Sequence, residues 1–175
     1  WIKKEIEASQ DPWSDELNSH TSDKHFSSER TAFLFAPGEY RNLDFEVGYY
    51  VQLAGLGTSA DDVKFLECEK GPFVPALNMH LHKRLIRSST SGEDVEEAVG
   101  TCLDTFWRSA ENFSLRKADL QWAVSQAAPL RRIHVVEGDV YLHDGAAYAS
   151  GGHLANADIG GKLYAGGQQQ YLLRN

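Results

Sequence analysis

The segment Trp122–Gly152, WAVSQAAPLRRIHVVEGDVYLHDGAAYASGG, decides how this chain is read. Its apolar residues come in short beats set between glycines and polar residues. Neither the 3.6-residue period of an amphipathic helix nor the two-residue period of a simple hairpin runs through it. A longer period does. Val135 is followed by Gly138 and Val140, and two dozen residues on, Ile159 is followed by Gly161 and Leu163. That offset suits one coil of a parallel β-helix, in which two or three short strands and their turns repeat. Inward positions then stack into an apolar column, and each backbone N–H and C=O pairs with the coil above or below. Val135 and Ile159 are expected to point inward, one coil apart.

Gln126 and Ser150 share the same offset. They therefore fall at equivalent positions on one face of the solenoid. Aligning Leu154–Asn156 with Leu172–Arg174 makes the next coil shorter and brings Gln168 and Gln169 to the same stack. Amides and hydroxyls both donate and accept hydrogen bonds, so such a column suits a neutral, hydroxyl-rich ligand. It equally suits an internal polar ladder whose amides bond coil to coil. The residues alone leave both open.

Working outward, residues 1–30 form a polar lead-in rich in Ser, Asp, Glu and His, with little core of its own. Residues 31–175 carry the β-helical pattern. TAFLFAPGEY reads as a strand into a Pro37-Gly38 turn, FEVGYYVQLAGLG as strands ending in glycines, and DDVKFLEC as another short strand. The acidic stretch 87–101 reads as a loop or a single helical turn. After Thr105 no long helix is expected, and the fold class is all-β.

The 175 residues suffice for one domain with a core, and 42% hydrophobic with 24% charged residues is a globular balance. A net charge of −8 disfavours nucleic acid or an anionic membrane as partner, since both demand a basic face. No run is apolar enough to span a bilayer. The opening WIKKEIEASQDPW is not a signal peptide, because charges recur where an apolar stretch should be. Cys68 and Cys102 either pair, which would suggest an oxidising compartment, or lie apart as buried thiols. Asn112-Phe-Ser114 fits a glycosylation sequon but falls in an expected strand.

Taken in order, TFWRSAENFSL, WAVSQAAPLRRIHV, YASGGHLANADI and AGGQQQYLLRN resemble the N-terminal half of glycoside hydrolase family 55-like proteins. So do FLFAPGEY and GYYVQLAGLGTSADDVKF upstream. These proteins belong to the pectin-lyase-like superfamily of right-handed parallel β-helices, and the resemblance covers roughly residues 31–175. It implies an inverting exo-β-1,3-glucanase built from two β-helical halves with the sugar bound between them. The general acid is a Glu of the second half. Gln126 in AVSQ and Ser150 in ASGG match the residues that hold the attacking water; Gln168 and Gln169, placed near them by the coil spacing, are expected to bind sugar hydroxyls. No cofactor or metal is implied. The partners implied are a polysaccharide or oligosaccharide and the C-terminal β-helical half of the same chain. An extracellular site of action follows. This chain departs from the family in having Gly166-Gly167 where Gly-Ser is usual.

A β-helix that stops at Asn175 would expose its last coil, so the chain reads as the N-terminal part of a longer protein. By itself it is expected to be inactive and to associate through that edge. Inversion needs a carboxylic acid and a base-activated water on opposite sides of the sugar. Among local carboxylates, Asp139 and Asp144 adjoin glycine turns and Asp158 reads as a solvated face. Glu111 would pair with Arg108 at i, i+3 if that stretch were helical. His80 and His82 begin a metal site but lack a third ligand at matching spacing. Trp107 and Trp122 are candidates either for sugar stacking or for the core. Two other functions remain: a non-catalytic carbohydrate-binding or structural β-helix, and a polysaccharide lyase. Arg131 and Arg132 would be the basic groups of the lyase.

Overall fold

The computed structural model describes residues 30–74, 83–87, 94–98, 102–103, 105–145, 147 and 149–175. Apart from Arg30, the polar lead-in lies outside the described residues, as do His80 and His82. Parallel strands stack as a β-solenoid of about five turns, and the only described helical element is a 3-10 turn, Ala60–Asp62.

The main sheet climbs from Thr31–Phe35 through Val51–Gly55, Ser109–Arg116, Pro129–Val136 and His153–Ile159 to Leu172–Arg174. Every pairing along it is parallel. Val135 pairs with Ile159 below the next corner, as the two-dozen period requires. Leu115, Val135 and Ile159 form one inward column and Leu53, Ala110, Leu130 and Leu154 another. Val135, Leu115 and Leu130 are fully buried, and each such side chain contributes about 1.5–3 kcal/mol. Aromatic rings fill the lower end: Phe65 packs edge-on against Phe35 at 5.2 Å and against Phe113 at 5.3 Å.

Two details differ from the sequence reading. The shorter coil pairs Leu154 with Leu173 and His153 with Leu172, one residue away from the alignment of Leu154 with Leu172. In a strand one residue of register exchanges the faces, and no glycine in QQYLLRN marks where the coil begins. Within 87–101, Asp94–Ala98 is a strand, paired antiparallel with Lys83–Arg87. With only Val95 and Ala98 apolar among acids, its sequence shows no two-residue alternation that would mark a strand.

Each coil turns its corners on residues of positive φ, and these stack. One corner column is Tyr50, Trp107, Ala127, Gly151 and Gln170; a second is Asn112, Arg132 and Asn156; a third is Asn42, Glu67, Lys117 and Glu137. The second column shows how side chains serve the corner. Ser109–Arg116 spans two strands of the coil beneath, Val51–Gly55 and Val63–Leu66. At the gap Asn112 donates its amide to the Gly55 and Gly57 carbonyls at 2.8 and 2.7 Å. Asn112 is buried, so the sequon's amide is taken up by the fold. Cys68 and Cys102 are separate buried thiols.

Candidate functional site

The corner between Val124 and Pro129 carries Gln126, and the corner one coil on carries Ser150, Gly151 and Gly152. Ser125 holds the two together. Its hydroxyl contacts the Gln126 side-chain amide and donates to the Ser150 carbonyl at 2.9 Å. One hydroxyl proton serves one acceptor at a time. The two acceptors, Gln126 Oε1 and the Ser150 carbonyl, therefore share it, and Gln126 Nε2 lies on the Gly151 side. Ser125 itself is buried, whereas Gln126 is exposed.

The glycines after Ser150 have separate reasons. Gly151 has a φ of +87°, and the Gln126 side chain lies across it: a Cβ there would come within 2.7 Å of Gln126 Cγ. Gly152 lies under the Tyr171 ring, where a Cβ would approach to 2.1 Å. Burial pushes the Tyr171 hydroxyl's pKa up. Ser-Gly-Gly therefore offers the Ser150 backbone carbonyl to Ser125 and leaves room for the Gln126 side chain.

Gln169 pairs in register with Ser150, and its carbonyl accepts from Gly151 N at 3.0 Å. Its side chain is exposed. Gln168 differs from the expectation of a ligand-facing group. Its Nε2 donates to the Val124 carbonyl at 3.2 Å and to the Leu142 carbonyl, so it braces the coils from within. The alternating side chains of a strand send neighbours to opposite faces, so Gln168 points into the coils and Gln169 out of them. Gly166 stands against the His143 ring at a φ of +57°, while Gly167 has open space around it, with the Ala147 carbonyl 3.6 Å from an added Cβ.

The Glu111 and Asp139 carboxylates are engaged elsewhere. Glu111 sits on a strand, not a helix, and its partner is Arg131 at 2.5 Å rather than Arg108. Asp139 Oδ1 accepts from Lys162 N at 2.7 Å. The Asp144 carbonyl closes a turn on Ala147 N at 2.9 Å. Asp158 is solvated. Arg132 reaches the Thr58 carbonyl at 3.2 Å. Among the described residues no group of three His, Cys, Asp or Glu could hold a metal ion, and no helix is long and apolar enough to cross a membrane.

The two tryptophans divide. Trp122 is fully buried and donates Nε1–H to the Ala128 carbonyl at 3.0 Å. Trp107 is 47% exposed. Sequence spacing missed Ser125 and the role of Gly151. The one available signal was a small polar residue directly before Gln126.

Searched against known proteins, the chain is 33% identical over 166 residues to an exo-beta-1,3-glucanase of Streptomyces sp. (strain SirexAA-E / ActE), a match spanning 92% of this chain and 23% of that protein. The structure of sacteLam55A from Streptomyces sp. SirexAA-E superposes with a TM-score of 0.67 at 30% identity, over 98% of this chain and 26% of that one. The resemblance to glycoside hydrolase family 55 therefore holds. A variant of the same family 55 protein, solved in complex with glucose, also has a TM-score of 0.67, at 31% identity. The matched part is the N-terminal part of the relative; the chain spans about a quarter of its length rather than half. No protein-family model matches the chain.

Proposed function

We propose that this chain forms the water-positioning part of an inverting exo-β-1,3-glucanase. The observation that carries the reading is the clamp in which Ser125 ties Gln126 to Ser150 while Gly151 clears space for the Gln126 side chain. The Gln126 amide hydrogen-bonds the attacking water, and the Ser150 hydroxyl takes a second hydrogen bond from it or gives one to it. Neither group titrates usefully, so neither is the general acid or base. They fix the water in line with the anomeric carbon. The water oxygen then bonds to that carbon as the glycosidic C–O bond breaks on the opposite side. A carboxylic acid protonates the departing oxygen, and a carboxylate takes the water proton.

Both carboxyl groups come from β-helical coils of the protein beyond this segment. Gln169 completes the sugar-facing row, and Gln168 supports it. A polymeric glucan does not enter cells, which favours action outside them. The lyase reading is weaker, because Arg131 and Arg132 are already engaged by Glu111 and the Thr58 carbonyl.

The test is hydrolysis of laminarin by the full-length protein. Expected are glucose released with inverted configuration by NMR, and kcat falling about a hundredfold or more in Gln126→Ala with little change in KM. Full activity in a Gln126→Ala, Ser150→Ala double variant overturns the water-positioning role and leaves the two residues as part of a structural polar ladder.

A further inference from the structure

The corner column that ends at Gly151 and Gln170 begins with two aromatic residues, Tyr50 at a φ of +56° and Trp107 at +50°. Bulky side chains rarely adopt this backbone, and the strain is of order 1–3 kcal/mol per residue. The two coils above place Ala127 and Gly151 at the same corner. The strain at Tyr50 and Trp107 therefore has a local use, which is the direction it gives their rings. They stack on one another with centroids 5.2 Å apart and planes 20° from parallel, and Tyr49 joins at 5.6 Å from Trp107. The Arg30 guanidinium covers Tyr50, 4.9 Å from its centroid. Together they wall a cleft of about 410 Å³, within the range of small-ligand sites, with Gln52 and Ser109 among its polar lining.

The platform is braced from below. Arg108 is buried, and it donates to the Val47 carbonyl at 2.6 Å and to the Phe106 carbonyl at 3.2 Å. These bonds fix the backbone beside both rings. Burial lowers its pKa to about 10, with Glu46 opposing, so it stays charged at neutral pH. A rigid ring with an open face costs little ordering on binding.

We propose that Trp107, backed by Tyr50, forms a second sugar-binding subsite, taking a pyranose ring of a β-1,3-glucan chain, distinct from the water-positioning corner. The inference rests on the glucanase reading for the identity of the sugar. A β-glucosyl ring carries all its hydroxyls equatorially, so its two faces are apolar C–H surfaces that match an indole plane. Its edge hydroxyls match Gln52 and Ser109. Arg30 is spent on Tyr50, and the chain's net charge of −8 favours a neutral ligand. The subsite also lies on the right path: Trp107 N donates to the Gln126 carbonyl at 3.4 Å, which puts the platform one coil from the proposed water site.

The experiment is native gel electrophoresis of the full-length protein in laminarin, in a Gln126→Ala background to suppress turnover. Trp107→Ala is expected to weaken retention about tenfold, and Trp107→Phe to keep most of it. Ala127 at the same corner shows that alanine is accommodated on this backbone, and unchanged thermal melting confirms the fold. Equal retention of Trp107→Ala and its parent overturns the subsite. So does a parent with no retention, whose platform another segment or a protein partner then covers. Loss of hydrolysis in Gln126→Ala with no effect of Trp107→Ala on binding removes the subsite and keeps the reaction. Lost binding in Trp107→Ala with hydrolysis intact in Gln126→Ala, Ser150→Ala does the reverse.

Discussion

The Gln126 side chain lies flat across Gly151 of the next coil, so close that any side chain at that glycine would displace it. Gly151→Ala combines this clash with a φ of +87° that L-residues resist. The variant is expected to lose about 1–3 kcal/mol of stability, measured by denaturant unfolding. Its kcat on laminarin should fall in the full-length protein because Gln126 is moved, even at temperatures where the fold is intact.

Gly166 and Gly167 should respond oppositely to serine. A Cβ at Gly166 would meet the His143 ring at 2.1 Å on a left-handed backbone, whereas Gly167 meets nothing nearer than 3.6 Å. Gly167→Ser should melt within a degree or two of the parent, as unstrained surface changes do. Gly166→Ser is expected to lose about 2–3 kcal/mol. Equal melting temperatures for the two would contradict the geometry.

Asn112 joins a corner to the coil beneath it. Asn112→Ala removes two amide-to-carbonyl bonds and leaves alanine at a φ of +60°. The expected loss is about 2–4 kcal/mol. Asn112→Gly, which relieves the backbone but not the carbonyls, should lose less than Asn112→Ala.

Burial raises the Cys102 thiol from its ordinary 9.0 to about 12, with the Asp144 charge adding to the effect. In the unfolded chain the thiol ionises from about pH 9; in the folded chain it holds its proton to about pH 12. Between these values the unfolded state binds fewer protons, so stability falls as pH rises. Cys102→Ala lacks this dependence. The stability advantage of the wild type over Cys102→Ala should be constant below pH 9 and shrink by a few kcal/mol towards pH 12, read from melts at stepped pH.

Much of the fold was legible because one signal, the Val135 to Ile159 spacing, repeats with glycines at matching places. The same spacing brought Gln126 and Ser150 to neighbouring coils. The shorter last coil was legible only to within a residue, since nothing in QQYLLRN marks its corner. Gln168 and Gln169 look alike in sequence, and only the register decides which faces inward. Trp107 and Trp122 differ for a similar reason. Both sit within short apolar beats, yet one occupies a strained corner and the other the core. Corners turned by Tyr50, Trp107, Lys117 and Glu137 carry no sequence mark, because their backbone is imposed by the stack and not by local preference.

Val74 pairs directly with Trp122, and Ser109–Arg116, which lies between them in sequence, belongs to the main sheet. A solenoid coil touches only its neighbours, whereas Lys83–Arg87 and Asp94–Ala98 pair only with each other, in a sheet of their own. Evolution or an engineer can lengthen, trim or exchange that pair, and Gln126 and Ser150 keep their address.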